Sequence, residues 1–186
     1  MLKESFVHGR FQPPHYQHLE YFLEAKARCS FLWIGITRYD IRDFLTCSVA
    51  PHREFVLSNP LTFFERVEAI TSMLMSGAVQ RSDFGFVPLP IDQPERIVDF
   101  IRTDITCFTT ICDDWNLHKI RVLEKLGFKV ISLIDRRQQP KSEIITGSHI
   151  RDRVLAKDDV WKRYIPQGAL QVLEGIDFAN RLRRLA

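Results

Sequence analysis

Long apolar runs, paired cysteines and charge of one sign are all scarce in this chain of 186 residues. No apolar stretch approaches the ~20 residues that cross a bilayer, so no membrane partner is expected. The start, Met1-Leu2-Lys3-Glu4-Ser5-Phe6-Val7, has no apolar core of signal-peptide length. The four cysteines, Cys29, Cys47, Cys107 and Cys112, contain no C-x-x-C spacing, which argues against a zinc site. A chain of this length needs no disulfide staples. We read the cysteines as reduced, mostly buried thiols of a cytoplasmic protein, and expect no set of metal-ligating side chains. The net charge of +3 lacks the basic footprint of a nucleic-acid binder, so no nucleic-acid partner is expected. The basic end Arg181-Leu182-Arg183-Arg184-Leu185 reads as the polar face of a last helix. Neither G-x-x-x-x-G-K-[S/T] nor G-x-G-x-x-G occurs, which argues against P-loop and dinucleotide-binding enzymes. No internal repeat or low-complexity stretch is present.

What the chain does have is 45% apolar residues, enough for a core, and short apolar runs that alternate with amphipathic ones. Residues 5–8, 31–37, 86–89, 108–112 and 130–134 read as strands, and the second is apolar on both faces, as in a buried parallel sheet. Between them, residues 18–27 put Leu19, Phe22, Leu23 and Ala27 on one helical face. Residues 62–76 open with Thr62-Phe63-Phe64-Glu65, a capping-box pattern, with Phe63, Val67, Ile70 and Leu74 at helical spacing. Residues 115–126 follow Asp114 as a cap and stop at Gly127. Residues 148–156 and 166–174 are the last helical candidates. The expected fold is α/β: a Rossmann-like parallel sheet of about five strands with helices on both faces. We expect one domain over 1–186, with 156–186 a small C-terminal helical part. The helix after Pro166 could cover the core or a neighbouring subunit, which leaves a homo-oligomer open. Ligands in such sheets bind beyond the carboxyl ends of the strands.

Two segments carry chemistry. In His8-Gly9-Arg10-Phe11-Gln12-Pro13-Pro14-His15-Tyr16-Gln17-His18, the prolines delay the helix until about His15. His15 and His18 then share a face at a helix start, where free N–H groups and the positive dipole end also point. With Arg10 this makes an anion site. The alternative is a capping histidine beside a surface one. In Ile144-Ile145-Thr146-Gly147-Ser148-His149-Ile150-Arg151, hydroxyls, backbone N–H groups and an arginine again converge on a helix start, although Ser148 could be only an N-cap.

These residues resemble a known family. His15-Tyr16-Gln17-His18 is similar to the H-x-G-H signature of the nucleotidylyltransferase superfamily, and Ile145–Arg151 is similar to its I-S-x-T-x-I-R signature. Gly9-Arg10-Phe11-Gln12-Pro13 resembles the opening of archaeal-type nicotinamide-mononucleotide adenylyltransferases. Asn59–Arg66 resembles their N-P-F-T-x-x-E-R segment, and Asp114-Trp115-Asn116 their D-P-W-N. Two departures stand out. Gln17 replaces the motif glycine, where a side chain would crowd the nucleotide. Residues 88–101 occupy the place of an aromatic that stacks on the pyridine ring, with Ile97 and Val98 near that position and Phe100 a substitute.

The resemblance implies transfer of AMP from ATP to a phosphorylated small molecule, nicotinamide or nicotinate mononucleotide first, with release of pyrophosphate. A cytidylyltransferase using CTP, another phosphorylated acceptor, and a non-catalytic nucleotide sensor are the alternatives. It implies His15, His18 and Arg151 as catalytic residues on the phosphates, and Mg²⁺ as a cofactor carried on triphosphate oxygens. Gly9, Arg10, Phe11, Gln12, Asp113, Trp115, Asn116, Thr146, Gly147 and Ser148 would bind the nucleotide. Arg38, Arg66 and Asp92 would bind the acceptor. Spacing alone leaves Arg66 open as a surface residue, Arg42 open in place of Arg38, and Trp115 open as core packing. His52 and Arg53 read as solvated loop charges.

Overall fold

The computed structural model describes residues 1–40 and 56–186. Arg42, Cys47, His52 and Arg53 lie outside the described residues. Strands β1 (Leu2–Gly9), β2 (Cys29–Ile36), β3 (Phe84–Pro88), β4 (Thr106–Ile111) and β5 (Val130–Asp135) form one parallel sheet in the order β3-β2-β1-β4-β5. The central strands are apolar on both faces, and Phe6, Val7, Ile34, Ile36, Cys107 and Phe108 are buried. Pro88 ends the edge strand β3, where a missing N–H breaks no inner ladder.

The described residues form two compact units. The first, Met1–Arg10, Glu20–Tyr39 and Ser82–Ile144, holds the sheet. The second, Phe11–Leu19, the described part of Asp40–Arg81 and Ile145–Ala186, is helical.

In the first unit the chain steps from β1 to β2 through α1 (Tyr16–Lys26), and from β4 to β5 on the other side of β1 through α3 (Asp114–Lys125). Right-handed crossovers in opposite directions put these helices on opposite faces. On the α3 face, Phe6, Leu89, Ile97, Ile101, Leu123 and Phe128 belong to one buried cluster. The rings of Phe6 and Phe128 meet edge to face at 5.3 Å, worth ~0.5–1.5 kcal/mol beyond burial.

The strand order reverses between β1 and β4. There the ladder holds only Ser5 against Thr106 and Phe6 against Cys107, while β1 pairs with β2 from Leu2 to Gly9. Tyr21 of α1 accounts for the gap. Its hydroxyl accepts the His8 backbone N–H at 3.3 Å and donates to the Phe108 carbonyl at 2.5 Å. A phenol standing in for ladder bonds parts the two strands toward their carboxyl ends, where sheets of this kind bind ligands.

The second unit contains α2 (Phe63–Ser76), α4 (Gly147–Leu155), α5 (Gln167–Gly175) and α6 (Phe178–Leu185). Thr62 and Glu65 form the expected capping box on α2, and Arg181 of α6 pairs with Glu65 at 2.6 Å. The helices α2 and α5 pack closely because Gly168 presents no side chain to the Ser72 carbonyl.

Several local expectations are corrected. The strand β1 starts at Leu2, not Ser5, because Leu2 already pairs with Cys29, and backbone pairing takes no account of the polar side chains of Lys3 and Glu4. The helix α1 buries Phe22 as expected, but with Tyr21 and Ala25 rather than Leu19, Leu23 and Ala27. The strand gap draws in Tyr21 and turns the face, leaving Leu23 37% exposed. The helix α2 buries Arg66, Ala69, Ile70, Met73 and Leu74, while Phe63 and Val67 are half-buried. Asp113, not Asp114, caps α3, and Thr146, not Ser148, caps α4. In each case the extended residue before the first helical one takes the cap. Gly127 adopts the expected left-handed conformation, φ 91°.

Candidate active site

In the second unit the two signature segments interlock. Phe11 has φ 55°, a left-handed conformation that costs a side-chain-bearing residue about 1 kcal/mol or more. The Gln12–Pro13 peptide bond is cis. The His15 carbonyl accepts the N–H groups of His18 and Leu19 at 2.9 and 3.1 Å, which sets the start of α1. The buried His15 ring stacks on His18, with centroids 3.6 Å apart and planes at 26°. The His15 N–H donates to His18 Nδ1 at 3.3 Å, so a neutral His18 carries its proton on Nε2. The Phe11 ring meets the other side of His18 edge-on at 4.9 Å. Stacking, ring edge and hydrogen bond together fix the imidazole's orientation.

Gln12 is the hub. Its side-chain amide donates to the Leu61 carbonyl at 2.7 Å and accepts the Leu61 N–H at 2.9 Å. Its own carbonyl accepts Arg151 Nη1 at 2.6 Å, and Arg151 Nη2 donates to Ser148 Oγ at 3.1 Å. Gly147 lies so close that an added Cβ would overlap the Gln12 carbonyl and stand 3.1 Å from Arg151 Nη1. Thr146 Oγ1 caps α4 by accepting the His149 N–H. Phe11, Gln12, His15 and His18 are thus linked by direct contacts, as are Gln12, Gly147, Ser148 and Arg151, and Thr146 precedes Gly147.

Gln17, which stands in place of the motif glycine, makes a contact that the sequence does not announce. Its Oε1 accepts the Ile145 N–H at 3.0 Å, so the side chain ties the second signature to the first. The polar pair Gln12 and Gln17, on either side of His15, was the available signal, but the partners Leu61 and Ile145 are remote in sequence.

Two cations of this unit sit in low-dielectric surroundings. Arg66 is completely buried, not a surface residue. Its Nε donates to the Thr62 carbonyl at 3.1 Å, and burial pushes its guanidinium down to about 9. Burial also lowers Arg151. Such groups gain from an added negative charge.

In the first unit the expected residues stand at the carboxyl ends of strands. Gly9 ends β1 and Arg10 follows it. Arg38 follows β2 and pairs with Asp92 at 2.9 Å, with the two side chains 7% and 18% exposed. Arg38 and Asp92 therefore act as a pair, not as two independent contacts. After β4, the Asp113 carboxylate accepts the Asn116 N–H, and Asn116 Oδ1 accepts the N–H groups of Cys112 and Asp113, which makes a fixed turn. Trp115 is half-buried and stacks on His118 at 5.2 Å and 17°, so it is not core packing. Ile97 is core and Val98 is exposed, while Phe100 packs on Tyr39 at 6.1 Å. The sequence reading also missed Tyr21 and His8. A histidine among the apolar residues of a central strand was the signal for His8.

Among the described residues no group of three or more His, Cys, Asp or Glu side chains could hold a metal ion. No helix among them is long and apolar enough to cross a membrane.

No family model matches the chain. Phosphonoformate cytidylyltransferase of Streptomyces viridochromogenes is 32% identical to it over 177 residues, which is 95% of this chain and 94% of that protein. The chain belongs to the nucleotidyltransferase family. Another relative of this nucleotidyltransferase, the nicotinamide-nucleotide adenylyltransferase of Methanococcus aeolicus, is 26% identical over 187 residues, 97% of this chain and 94% of that one. Among solved structures, the bifunctional NMN adenylyltransferase/ADP ribose pyrophosphatase from Francisella tularensis superposes with a TM-score of 0.72 at 18% identity, over 100% of this chain and 52% of that chain. The nucleotidyltransferase thus spans about half the length of that protein and shares its fold.

Proposed function

We propose that this nucleotidyltransferase joins a nucleoside monophosphate unit to a small phosphonate or phosphate, with CTP and phosphonoformate as the first pair and ATP with nicotinamide mononucleotide as the second. The observation that carries the first pair is the 32% identity over 95% of the chain to a phosphonoformate cytidylyltransferase. The burial of Ile97 in the core, near the position where an aromatic would stack on a pyridine ring, adds to it. The second pair is supported by several nicotinamide-nucleotide adenylyltransferases that match nearly the whole chain, at 21% to 27% identity for the first three.

The acceptor's ionised oxygen attacks the α-phosphorus in line. A new P–O bond forms as the bond to the β-phosphate bridging oxygen breaks, and pyrophosphate leaves. An ionised acceptor needs no general base, so catalysis rests on alignment and charge stabilisation. The second unit would supply His15 and His18 to the α- and β-phosphates. Ser148, Arg151 and the unshared N–H groups of the first turn of α4 would hold the β- and γ-phosphates. Thr146, Gly147, Gln12 and Phe11 would keep that cradle in shape, and Arg66 would serve the acceptor. In the first unit, Gly9 and Arg10 at the end of β1 would suit a phosphate, Asp113, Trp115 and Asn116 after β4 would suit a base, and Arg38, held by Asp92, would suit an anionic acceptor. The imidazole, hydroxyl and guanidinium groups of the second unit offer Mg²⁺ no carboxylate, so the ion would be carried by the triphosphate and its own waters, and would there offset the charge of the departing pyrophosphate.

The test is pyrophosphate release with magnesium, crossing CTP and ATP against phosphonoformate and nicotinamide mononucleotide. Release with CTP and phosphonoformate, reduced about 10²–10³-fold in His18→Ala, is expected. Release only with ATP and the mononucleotide would move the assignment to the second pair, and no release from any pair would reject both.

A further inference from the structure

The helix α4 has only 9 residues, and an isolated helix of that length does not hold itself in water. Its first turn, Gly147, Ser148 and His149, therefore keeps its place through its partners. Residues two apart on a helix point about 200° away from each other, so His149 and Arg151 leave α4 on opposite sides. On the Arg151 side the grip is the bond to the Gln12 carbonyl. On the His149 side it is a cluster that the phosphate chemistry has not used. Arg153, one turn on, donates its Nε–H to His149 Nε2 at 2.8 Å. Arg153 Nη1 pairs with Asp158, which caps the short 3₁₀ helix Asp159–Tyr164 by accepting the Val160 N–H at 3.0 Å. Tyr164, at the end of that helix, meets the His149 ring at 5.3 Å and lies under the Arg153 guanidinium at 5.7 Å. The His149 backbone N–H is bound to Thr146 Oγ1, so backbone and ring together join the cap of α4 to the next element.

The bond to Arg153 dictates the state of the ring. A guanidinium only donates, so Nε2 is the bare acceptor and the proton sits on Nδ1. A second proton would leave the ring no acceptor and set it as a cation against Arg153. The anion at hand, Asp158, is already engaged by Arg153. Of the other charged groups on α4 and the segments packed against it, Asp152, Asp159 and Arg163 are exposed. Lys162 is bridged to Glu174 at 2.9 Å, and Arg183 of α6 is bound to the Val154 carbonyl at 3.1 Å.

We infer that His149 is a positioning residue for the donor nucleotide: in its neutral form it couples Arg153, Asp158 and Tyr164 to the first turn of α4, and protonation of the ring releases that grip. This rests on the reading above that the first turn of α4 holds the β- and γ-phosphates.

The experiment measures equilibrium binding of CTP and of ATP, each with magnesium, to the wild type, His149→Gln and His149→Leu at pH 8 and pH 5.5, with thermal unfolding recorded for each protein. The lower pH protonates an ordinary imidazole. Glutamine keeps an acceptor for Arg153 and does not titrate, whereas leucine offers no acceptor. Losses on acidification that come from the nucleotide or from other histidines are common to all three proteins. Binding of the tighter nucleotide is expected to weaken on acidification at least about fivefold more in the wild type than in His149→Gln. At pH 8, His149→Leu is expected to bind about tenfold more weakly than the wild type, and His149→Gln to recover most of that loss. Equal pH responses in the wild type and His149→Gln overturn the inference, even if the variants melt lower, and reduce His149 to a structural support while the nucleotide site stands. A wild type that binds neither nucleotide at pH 8 overturns the phosphate reading of α4 and this inference with it.

Discussion

Gly147 has no room for a methyl group. A Cβ there would overlap the Gln12 carbonyl and crowd Arg151, and both atoms belong to the hydrogen-bonded link between the two signature segments. Gly147→Ala should therefore cost about 1–3 kcal/mol of stability and lower kcat/KM by at least about tenfold, read from denaturant unfolding and pyrophosphate release. A variant as active as the wild type would show that the link is slack. Gln17→Gly restores the family's glycine and removes the bond to the Ile145 N–H. The expected loss is about 1 kcal/mol, with a higher KM for the nucleotide and an unchanged KM for the acceptor. At this scale the sequence was informative about identity and poor about orientation. His15, His18 and Arg151 stand out by type and spacing, whereas the direction of the Gln17 side chain depends on a backbone N–H 128 residues away.

The helix α2 shows how an element is fixed from both ends of the argument. Thr62 and Glu65 announce its start in the sequence, and the capping box forms. Burial raises the Glu65 carboxyl, but the Thr62 N–H and the Arg181 guanidinium outweigh it and hold the group below its ordinary value. A carboxylate lowered in the folded state contributes stability above its unfolded value near 4.5, and loses it as pH falls through the lower folded value. Glu65→Gln should thus be less stable than the wild type by about 1 kcal/mol at pH 7, with the gap closing toward pH 3 in parallel urea titrations. A gap independent of pH would mean that the charge contributes nothing. The packing of α2 on α5 was not legible, because nothing near Gly168 in the chain points to Ser72. Gly168→Ala would drive a methyl group into the Ser72 carbonyl and within 2.6 Å of Ser76 Oγ. It should lower the melting temperature by several degrees, as a loss of about 2 kcal/mol or more does in a chain of this size. Retained activity below the transition would locate the damage in the helix packing.

For the whole molecule, five parallel strands and the reversal between β1 and β4 place the expected binding residues of the first unit at or shortly past strand ends. The second unit gathers three stretches of chain, Phe11–Leu19, the described part of Asp40–Arg81, and Ile145–Ala186, so its cradle exists only in the folded state. A nucleotide that binds this state alone should stabilise it by about 2.7 kcal/mol at a hundred times its Kd, seen as a rise of roughly 5–10 °C in melting temperature. The one of CTP and ATP that gives the larger rise at equal concentration should be the better donor in turnover. Equal shifts followed by exclusive use of one would place the selection in the reaction step instead.

Much of this was already in the sequence. Apolar runs of strand length between helical segments gave the parallel sheet, because each period reflects local geometry. The two histidines at a helix start and the Thr146–Arg151 segment gave the phosphate chemistry, because anions are held by local groups: free N–H donors, imidazoles and guanidiniums. Only the tertiary structure decided that Arg38 is held by Asp92, that Arg66 is buried, that Gln12 and Gln17 lock the cradle, and that His8 is buried near the carboxyl end of β1 with neither ring nitrogen hydrogen-bonded among the described residues. Each of these depends on contacts between residues far apart in the chain, and no local pattern encodes which distant backbone group a side chain will meet.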